Sequence, residues 1–364
     1  MKGIALISAA AIWEKAWPII IAIVFFGMLI FFHELGHFIF AKLFKVKVDE
    51  FSMGMGPAIF KFQKGETQYA LRLLPIGGFV SMEGEDDESE DERAFCNKPA
   101  WQRFIIVAAG GIVNILMGLI LVVVMLSTTE YVGTPVINYF TENSVSSQYG
   151  LEARDKIIKI DGKRVFSDLD LSFLMARSDD GVYDFVVERD GEKKELKGVK
   201  FDTMTKEVAG KEKLIVIYDF AIIGELPGFA SVAKNSVLET LSLSRMVWVS
   251  LFDIITGRYG LSEISGPIGT VSFIAETVQA NQSKPDLYDD YLLLALIAVN
   301  IGVFNLLPVP ALDGGRLLFI FIEMVVRKPI PRKYEGWIHT VGFALLMLLM
   351  VVVCFSDIMK LVKG

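Results

Sequence analysis

The sequence predicts a polytopic α-helical membrane protein with four transmembrane helices, a membrane-associated β-hairpin and one β-rich domain outside the membrane. Three observations carry this prediction. Of the 364 residues, 53% are hydrophobic and the mean hydropathy is +0.48, too apolar for a soluble chain of this length. Four segments reach the ~20 apolar residues that a hydrocarbon core requires. Between the second and third of them, strand-like runs alternate with Asp-Gly turns.

The first span runs from about Trp17 to Phe44, the second from Phe104 to Thr129, the third from Tyr291 to Leu312 and the fourth from Trp337 to Ser356. The apolar piece Gly3 to Trp13 is too short to cross. It reads as a lead-in to the first span because Glu14, Lys15 and Pro18 follow it; a weak signal peptide is the alternative. Lys42, Lys45 and Lys47 follow span one, Lys98 and Arg103 precede span two, and Arg316, Arg327, Lys328, Arg332 and Lys333 separate spans three and four. The positive-inside bias puts all of these on the cytoplasmic side, and both termini and the region Glu130 to Asp290 outside.

Inside, Phe51 to Val80 carries five glycines around alternating runs such as "QYALRLL", which suits a hairpin close to the membrane. The run Glu83 to Glu92 reads as a solvated acidic loop. Outside, Val132 to about Phe201 holds two hairpin signals, around Asp161-Gly162 and Asp190-Gly191, with a short helix over "DLDLSFLMAR" between them. Val232 to Ile255 has helical apolar spacing interrupted by Glu239, Arg245 and Asp253, and reads as a helix lying on the outer membrane surface rather than a fifth span.

Composition narrows the chemistry. A net charge of −7 and no basic stripe speak against nucleic acid, and two cysteines, Cys96 and Cys354, make neither a disulfide framework nor a cysteine zinc site. Two of only three histidines, His33 and His37, flank Glu34 in "FFHELGHFIF" within the first span. Four residues apart on a helix they share one face. There two imidazoles can bind one zinc ion, with Glu34 as general base. The bland reading is a pair of hydrogen-bonded core histidines. Ionisable groups in a span cost roughly 2.5–3.5 kcal/mol each on insertion scales, so three within five residues favour a metal.

A catalytic zinc usually takes a third protein ligand. Asp313 is the candidate: it ends the third span in "NLLPVPALDGG", where Pro308 and Pro310 break the helix and Gly314 and Gly315 let the backbone turn. A helix-end cap is its bland reading. If Val232 to Ile255 does not cross, spans one and three both run inward and Asp313 reaches the depth of the histidines.

"HELGH" in the first span and "NLLPVPALDG" in the third, with "NSVSSQYGLEARDKIIKIDGKRV" between them, resemble the bacterial site-2 protease family, in particular the RseP/RasP type, the regulator-of-sigma-factor intramembrane zinc proteases. "SGPIG", Ser265 to Gly269, fits the same likeness. This chain departs from it at Arg154, where glycine is usual, and at Gly111 of "AAGGIVN", where proline is usual. There is room for one PDZ domain, as in the Gram-positive type.

The resemblance implies residues 1–129 as two spans with the cytoplasmic hairpin, 130–228 as an extracytoplasmic PDZ-like domain, 229–290 as the surface helix and its connection, and 291–364 as the last two spans. It implies an intramembrane zinc metalloprotease of the bacterial cytoplasmic membrane, with Zn2+ as cofactor. Its substrates would be single-pass membrane proteins already trimmed outside, such as anti-sigma factors or signal-peptide remnants. It further implies that Asn305 holds substrate and that the hairpin around Tyr69, Leu71 and Leu73 pairs with it. A zinc carrier would need a polar path, yet Ile19 to Phe26 and Leu119 to Leu126 are purely apolar. An inactive PDZ scaffold would most simply have lost Glu34 or a ligand, and all are present.

Overall fold

A computed structural model of the protein describes residues 9–363, apart from 86, 209–210, 259–265, 282–286 and 329–331. It divides into two units, Met1–Ile120 with Phe252–Gly364, and Leu121–Leu251.

Four helices of the described chain are long and apolar enough to cross a membrane: Ala16–Leu43, Ala100–Thr128, Tyr288–Leu306 and Lys333–Met359. They lie within α1 (Ala9–Leu43), α2 (Ala100–Thr128), α6 (Tyr288–Leu306) and α8 (Arg332–Lys363). The lead-in to span one is helical from Ala9; its earlier residues lie outside the described chain.

In the first unit, small residues let these helices close up. A Cβ on Gly36 of α1 would stand 2.7 Å from the Ala109 carbonyl oxygen of α2. One on Gly302 of α6 would stand 2.7 Å from the Gly111 carbonyl oxygen. Gly111, unexpected beside the family pattern, is therefore where α2 and α6 touch backbone to backbone, as small residues permit in membranes.

The third span ends earlier than the sequence suggests, at Leu306 rather than Leu312. Residues 307–312 are not helical, and Asp313 opens a separate helix, α7 (Asp313–Val326). Prolines 308 and 310 forbid helical hydrogen bonds there. The turn back is tight: a Cβ on Gly315 would come within 2.6 Å of the Val309 carbonyl oxygen, and one on Gly314 would overlap that of Leu307. Ala311 takes a left-handed φ of 72°, and its N–H donates to His339 Nδ1 on α8 at 3.1 Å. The third histidine thus holds the loop before Asp313.

The connection before span three contains a helix that periodicity did not reveal, α5 (Pro267–Asn281). Its start receives the buried Asp357 of α8, whose carboxylate accepts from the N–H groups of Gly266 at 3.0 Å and Gly269 at 2.8 Å. This is an acid at a helix N-terminus, and it accounts for a charge on α8. Ser265 of the "SGPIG" motif lies outside the described residues.

The hairpin is β1 (Val48–Lys64) and β2 (Thr67–Met82). Residues Glu50–Met53 align with Gly78–Ser81 on one side and with Gln68–Leu71 on the other, while Ala58–Lys64 aligns with Thr67–Arg72. Two long strands therefore fold into four short rows, with Gly78–Ser81 at one edge and Ala58–Lys64 at the other. The acidic loop that follows is not merely solvated: Glu83 accepts from Lys47 at 3.0 Å and from Ser89 at 2.7 Å, and Glu85 pairs with Arg316.

The second unit contains a sheet in the order β10 (Phe220–Glu225), β3 (Val132–Phe140), β4 (Lys156–Ile160), β6 (Val182–Arg189), β7 (Glu192–Lys200), with β5 (Lys163–Arg164) beside β4. Because β10 pairs with β3, the sheet closes only at Glu225, beyond the Phe201 suggested by the hairpins. A further hairpin, β8 (Thr203–Val208) and β9 (Lys211–Val216), precedes β10. Both expected turns form: Asp161-Gly162 and Asp190-Gly191 have φ of 49°, 73°, 53° and 83°, the all-positive pattern of tight hairpins. Ile137, Ile157, Val187, Tyr183 and Phe185 fill the core with α3 (Asp168–Met175). Arg154 sits at φ 72°, which is why glycine suits that position. Residues 132–225 thus contain the whole of this sheet.

The helix α4 (Phe229–Ile255) forms as expected. Within the second unit, its Ser242 donates to Asp170 of α3 at 2.9 Å and its Arg245 pairs with the same carboxylate. That contact absorbs charges which would be costly in a span.

Candidate metal centre

Helix α1 presents His33 and His37 one turn apart, and Asp313 enters from the first turn of α7. His33 Nε2 lies 3.2 Å from Asp313 Oδ2, His37 Nε2 lies 3.2 Å from the same oxygen, and the two imidazole nitrogens are 3.3 Å apart. Among the described residues these are the only three His, Cys, Asp or Glu side chains gathered closely enough to hold a metal. A tetrahedral zinc with bonds of about 2.0–2.1 Å spaces its ligand atoms about 3.3–3.4 Å apart, so the donor triangle fits that ion. Asp313 Oδ2, at the shared apex, is buried without a hydrogen bond, as an atom reserved for a cation would be.

The residues behind the triangle fix its aim. His37 Nδ1 lies 2.9 Å from the Ile106 carbonyl oxygen, so it carries the proton and donates, leaving Nε2 free. The fully buried Asn114 lies 3.5 Å from His33 Nδ1 through its amide nitrogen, while its Oδ1 has no hydrogen bond. Amide oxygen and nitrogen are interchangeable in such an assignment. Turning the amide over gives Oδ1 the His33 Nδ1–H and frees His33 Nε2 in the same way. Asn114 was passed over in the sequence, although a lone carboxamide in a charge-free span is the signal that could have found it. Gly110 completes the seat: a Cβ there would stand 2.6 Å from His37 Cε1 and 2.7 Å from His33 Cε1. The glycine of α2 leaves room for both rings.

A cavity of about 150 Å³ opens on this triangle, lined by His33, Glu34, His37, Asp313, Arg316 and the hairpin row Gly78–Val80, among others. Glu34 faces that row; a Cβ on Gly78 would be 2.9 Å from its Cγ. The sequence-expected substrate residues lie elsewhere. Tyr69 stacks on Phe62 at 5.1 Å between centroids and packs on Phe38 and Phe51. Leu71 is aligned with both Met53 and Phe60, so its strand is flanked on both sides. Leu73 is exposed, and Asn305 sits in the last turn of α6; neither lines the cavity. The strand beside Glu34 is Gly78–Val80.

Comparison with known proteins settles the class. The profile of Peptidase family M50 matches residues 21–349. The chain belongs to peptidase family M50. It is 35% identical over 340 residues to a protein of Clostridium acetobutylicum named as a zinc metalloprotease, covering 93% of this chain and 97% of that one. A counterpart in Fusobacterium nucleatum, also named as a zinc metalloprotease, is 36% identical, with 94% and 98% covered. The regulator of sigma-W protease RasP of Bacillus subtilis is 30% identical, with 94% and 98% covered. The M50 chain described here is therefore a membrane zinc metalloprotease, with Zn2+ as its cofactor.

Proposed function

We propose that this protease hydrolyses peptide bonds within the membrane-spanning segments of single-pass proteins already trimmed on their outer side, as a step of regulated intramembrane proteolysis. The observation that carries the reading is the donor triangle His33, His37 and Asp313 on apolar helices, beside Glu34 and an edge row of a sheet. His33, His37 and Asp313 would hold the ion. When bound, it supplies a Lewis acid that polarises a carbonyl and acidifies water.

The chain's own groups do the rest. Glu34 takes a proton from the attacking water and delivers it to the departing amide nitrogen, so the peptide bond becomes a carboxylate and an amine. A spanning helix shields its backbone, so the substrate must unwind first. Gly78–Val80, the edge row that lines the cavity, can pair with the unwound strand and replace its lost hydrogen bonds. This assigns to Gly78–Val80 the part that the family likeness suggested for Tyr69, Leu71 and Leu73; Asn305 keeps a part only in guiding substrate along α6. Trimmed anti-sigma factors and signal-peptide remnants have the required chemistry.

The lysine and arginine bias supports a triangle near the cytoplasmic face of a bacterial cytoplasmic membrane, with the PDZ-like domain 130–228 outside and α4 along the outer surface. The RasP name of a relative at 30% identity points the same way. The test uses purified full-length protein and a helical membrane peptide. Glu34→Gln should keep one zinc per chain and lose cleavage by at least about a thousandfold; His33→Ala and Asp313→Ala should lose both metal and cleavage. Full zinc content in either ligand variant would overturn the assignment.

A further inference from the structure

The small cavity at the donor triangle is not the largest in the first unit. A second cavity of about 610 Å³ is lined by polar side chains from the acidic loop, α2, α7 and α8, among them Glu88, Asn97, Arg103, Glu323, Glu335 and His339. The two cavities have two lining residues in common, Glu85 and Arg316, and these are the two that pair with each other. The ion pair is therefore the partition between them. Its members come from separate elements: Glu85 from the loop after β2, Arg316 from α7 one turn beyond Asp313. Each is held a second time on its own side. Glu85 accepts from the Met82 N–H at 3.3 Å, and Arg316 Nε lies 4.0 Å from Glu335. Arg316 is the one lysine or arginine among the described residues lining the smaller cavity.

Resting on the protease reading, the chemistry gives this partition a task. Hydrolysis leaves a new carboxylate beside Asp313, Glu34 and apolar walls, where an anion has few partners. Besides the metal, the one cationic side chain lining the smaller cavity is Arg316, already engaged by one carboxylate. Replacing Glu85 by the product's carboxylate keeps the number of ion pairs and the planar geometry of the fork. It also parts the loop from α7 and opens the way to the larger polar cavity.

We propose that Arg316 is the binding site for the new C-terminal carboxylate of the cleaved substrate, and that Glu85 occupies this site and closes the exit between turnovers. Glu85 is thus a built-in stand-in for the product. Arg316 discriminates the cleaved chain, which ends in a carboxylate, from the uncleaved one, which does not.

The experiment measures binding, not turnover. An apolar peptide ending in a free carboxylate and the same peptide ending in a carboxamide are titrated, by fluorescence anisotropy, onto full-length protein in detergent. Both chelator-treated and zinc-loaded protein are used, because zinc itself prefers the carboxylate. Chelated wild-type protein should bind the carboxylate form more tightly than the amide. Arg316→Gln should abolish that preference, a loss of about tenfold, the size of one charge-assisted pair. Arg316→Lys should restore part of it. Glu85→Gln removes the competitor and should tighten carboxylate binding at least about threefold, leaving the amide form unchanged. A preference equal in wild type and Arg316→Gln, or carboxylate binding that Glu85→Gln leaves unchanged or weakens, overturns the proposal. Because Glu85 lies in a loop, its variant carries the test even if Arg316→Gln does not fold. Failure of the protease reading shows separately, as absence of cleavage by zinc-loaded protein that still distinguishes the two peptides.

Discussion

Glu239 is a buried carboxylate with no cation assigned to it. It lies on α4 at 1% exposure, and its Oε2 has no hydrogen bond. Burial, and then the neighbouring Asp168, push its pKa from 4.5 up to about 8; burial raises Asp168 too. Arg245 on the same helix is directed to Asp170 instead. The folded protein thus holds the Glu239 proton more tightly than the unfolded chain does. It follows that stability is greatest below the unfolded value, falls as pH rises from about 4.5, and levels off above about 8. Glu239→Gln should flatten much of that slope, a difference on the order of a few kcal/mol at pH 8. Thermal unfolding of the full chain from pH 5 to 9 measures it; an identical slope in the variant would show that the carboxylate is ionised throughout. Arg154 is the converse case. Arginine by itself signals nothing there, but the family pattern, in which glycine is usual, marks the position whose strain the φ of 72° shows.

Elements that follow a periodic pattern were legible in the sequence; those fixed by contact were not. Helices α1, α2, α6 and α8 announce themselves by apolar length, and the hairpins by Asp-Gly. His33, Glu34 and His37 were legible because they are costly in a span, and Asp313 because prolines and glycines surround it. Helix α5 was invisible: its start depends on Asp357, 88 residues beyond Gly269. The order of the hairpin rows was not legible for a related reason. Alternation identifies a strand but not which rows lie at the edges, and the bend that brings Gly78 beside Glu34 depends on register. The row beside Glu34 makes a prediction at this scale. Gly78→Ala puts a Cβ 2.9 Å from Glu34 Cγ and 3.1 Å from the Ser52 carbonyl oxygen, so strand and base must shift apart. Cleavage should fall by about tenfold or more with zinc content unchanged. Unaltered cleavage would mean that substrate does not pair with Gly78–Val80.

For the whole molecule, the question is what the second unit does for a centre to which, among the described residues, it contributes none. The donor triangle, Glu34, Arg316 and Gly78–Val80 all belong to the first unit, within residues 1–120 and 252–364. The sheet of the second unit is complete in itself from Val132 to Glu225, closed by β10 on β3. A self-contained domain that supplies no catalytic group can still decide which substrates approach, by blocking those with bulky outer parts or by holding a newly exposed chain end in a groove. Removing only 136–201 would leave β10 without its partner β3, so a clean deletion must take 132–225 together and join the ends with a flexible linker. The gate reading predicts that this deletion keeps one zinc per chain and cuts a short, already trimmed substrate at close to the full rate. It also predicts that an untrimmed substrate, ignored by the intact protein, is now cut. Cleavage of both substrates, followed by gel analysis beside zinc content, decides the matter. Loss of cleavage of the trimmed substrate in a folded, zinc-loaded deletion protein would show that the domain delivers substrate to the centre, because a barrier can be removed without slowing what it never stopped.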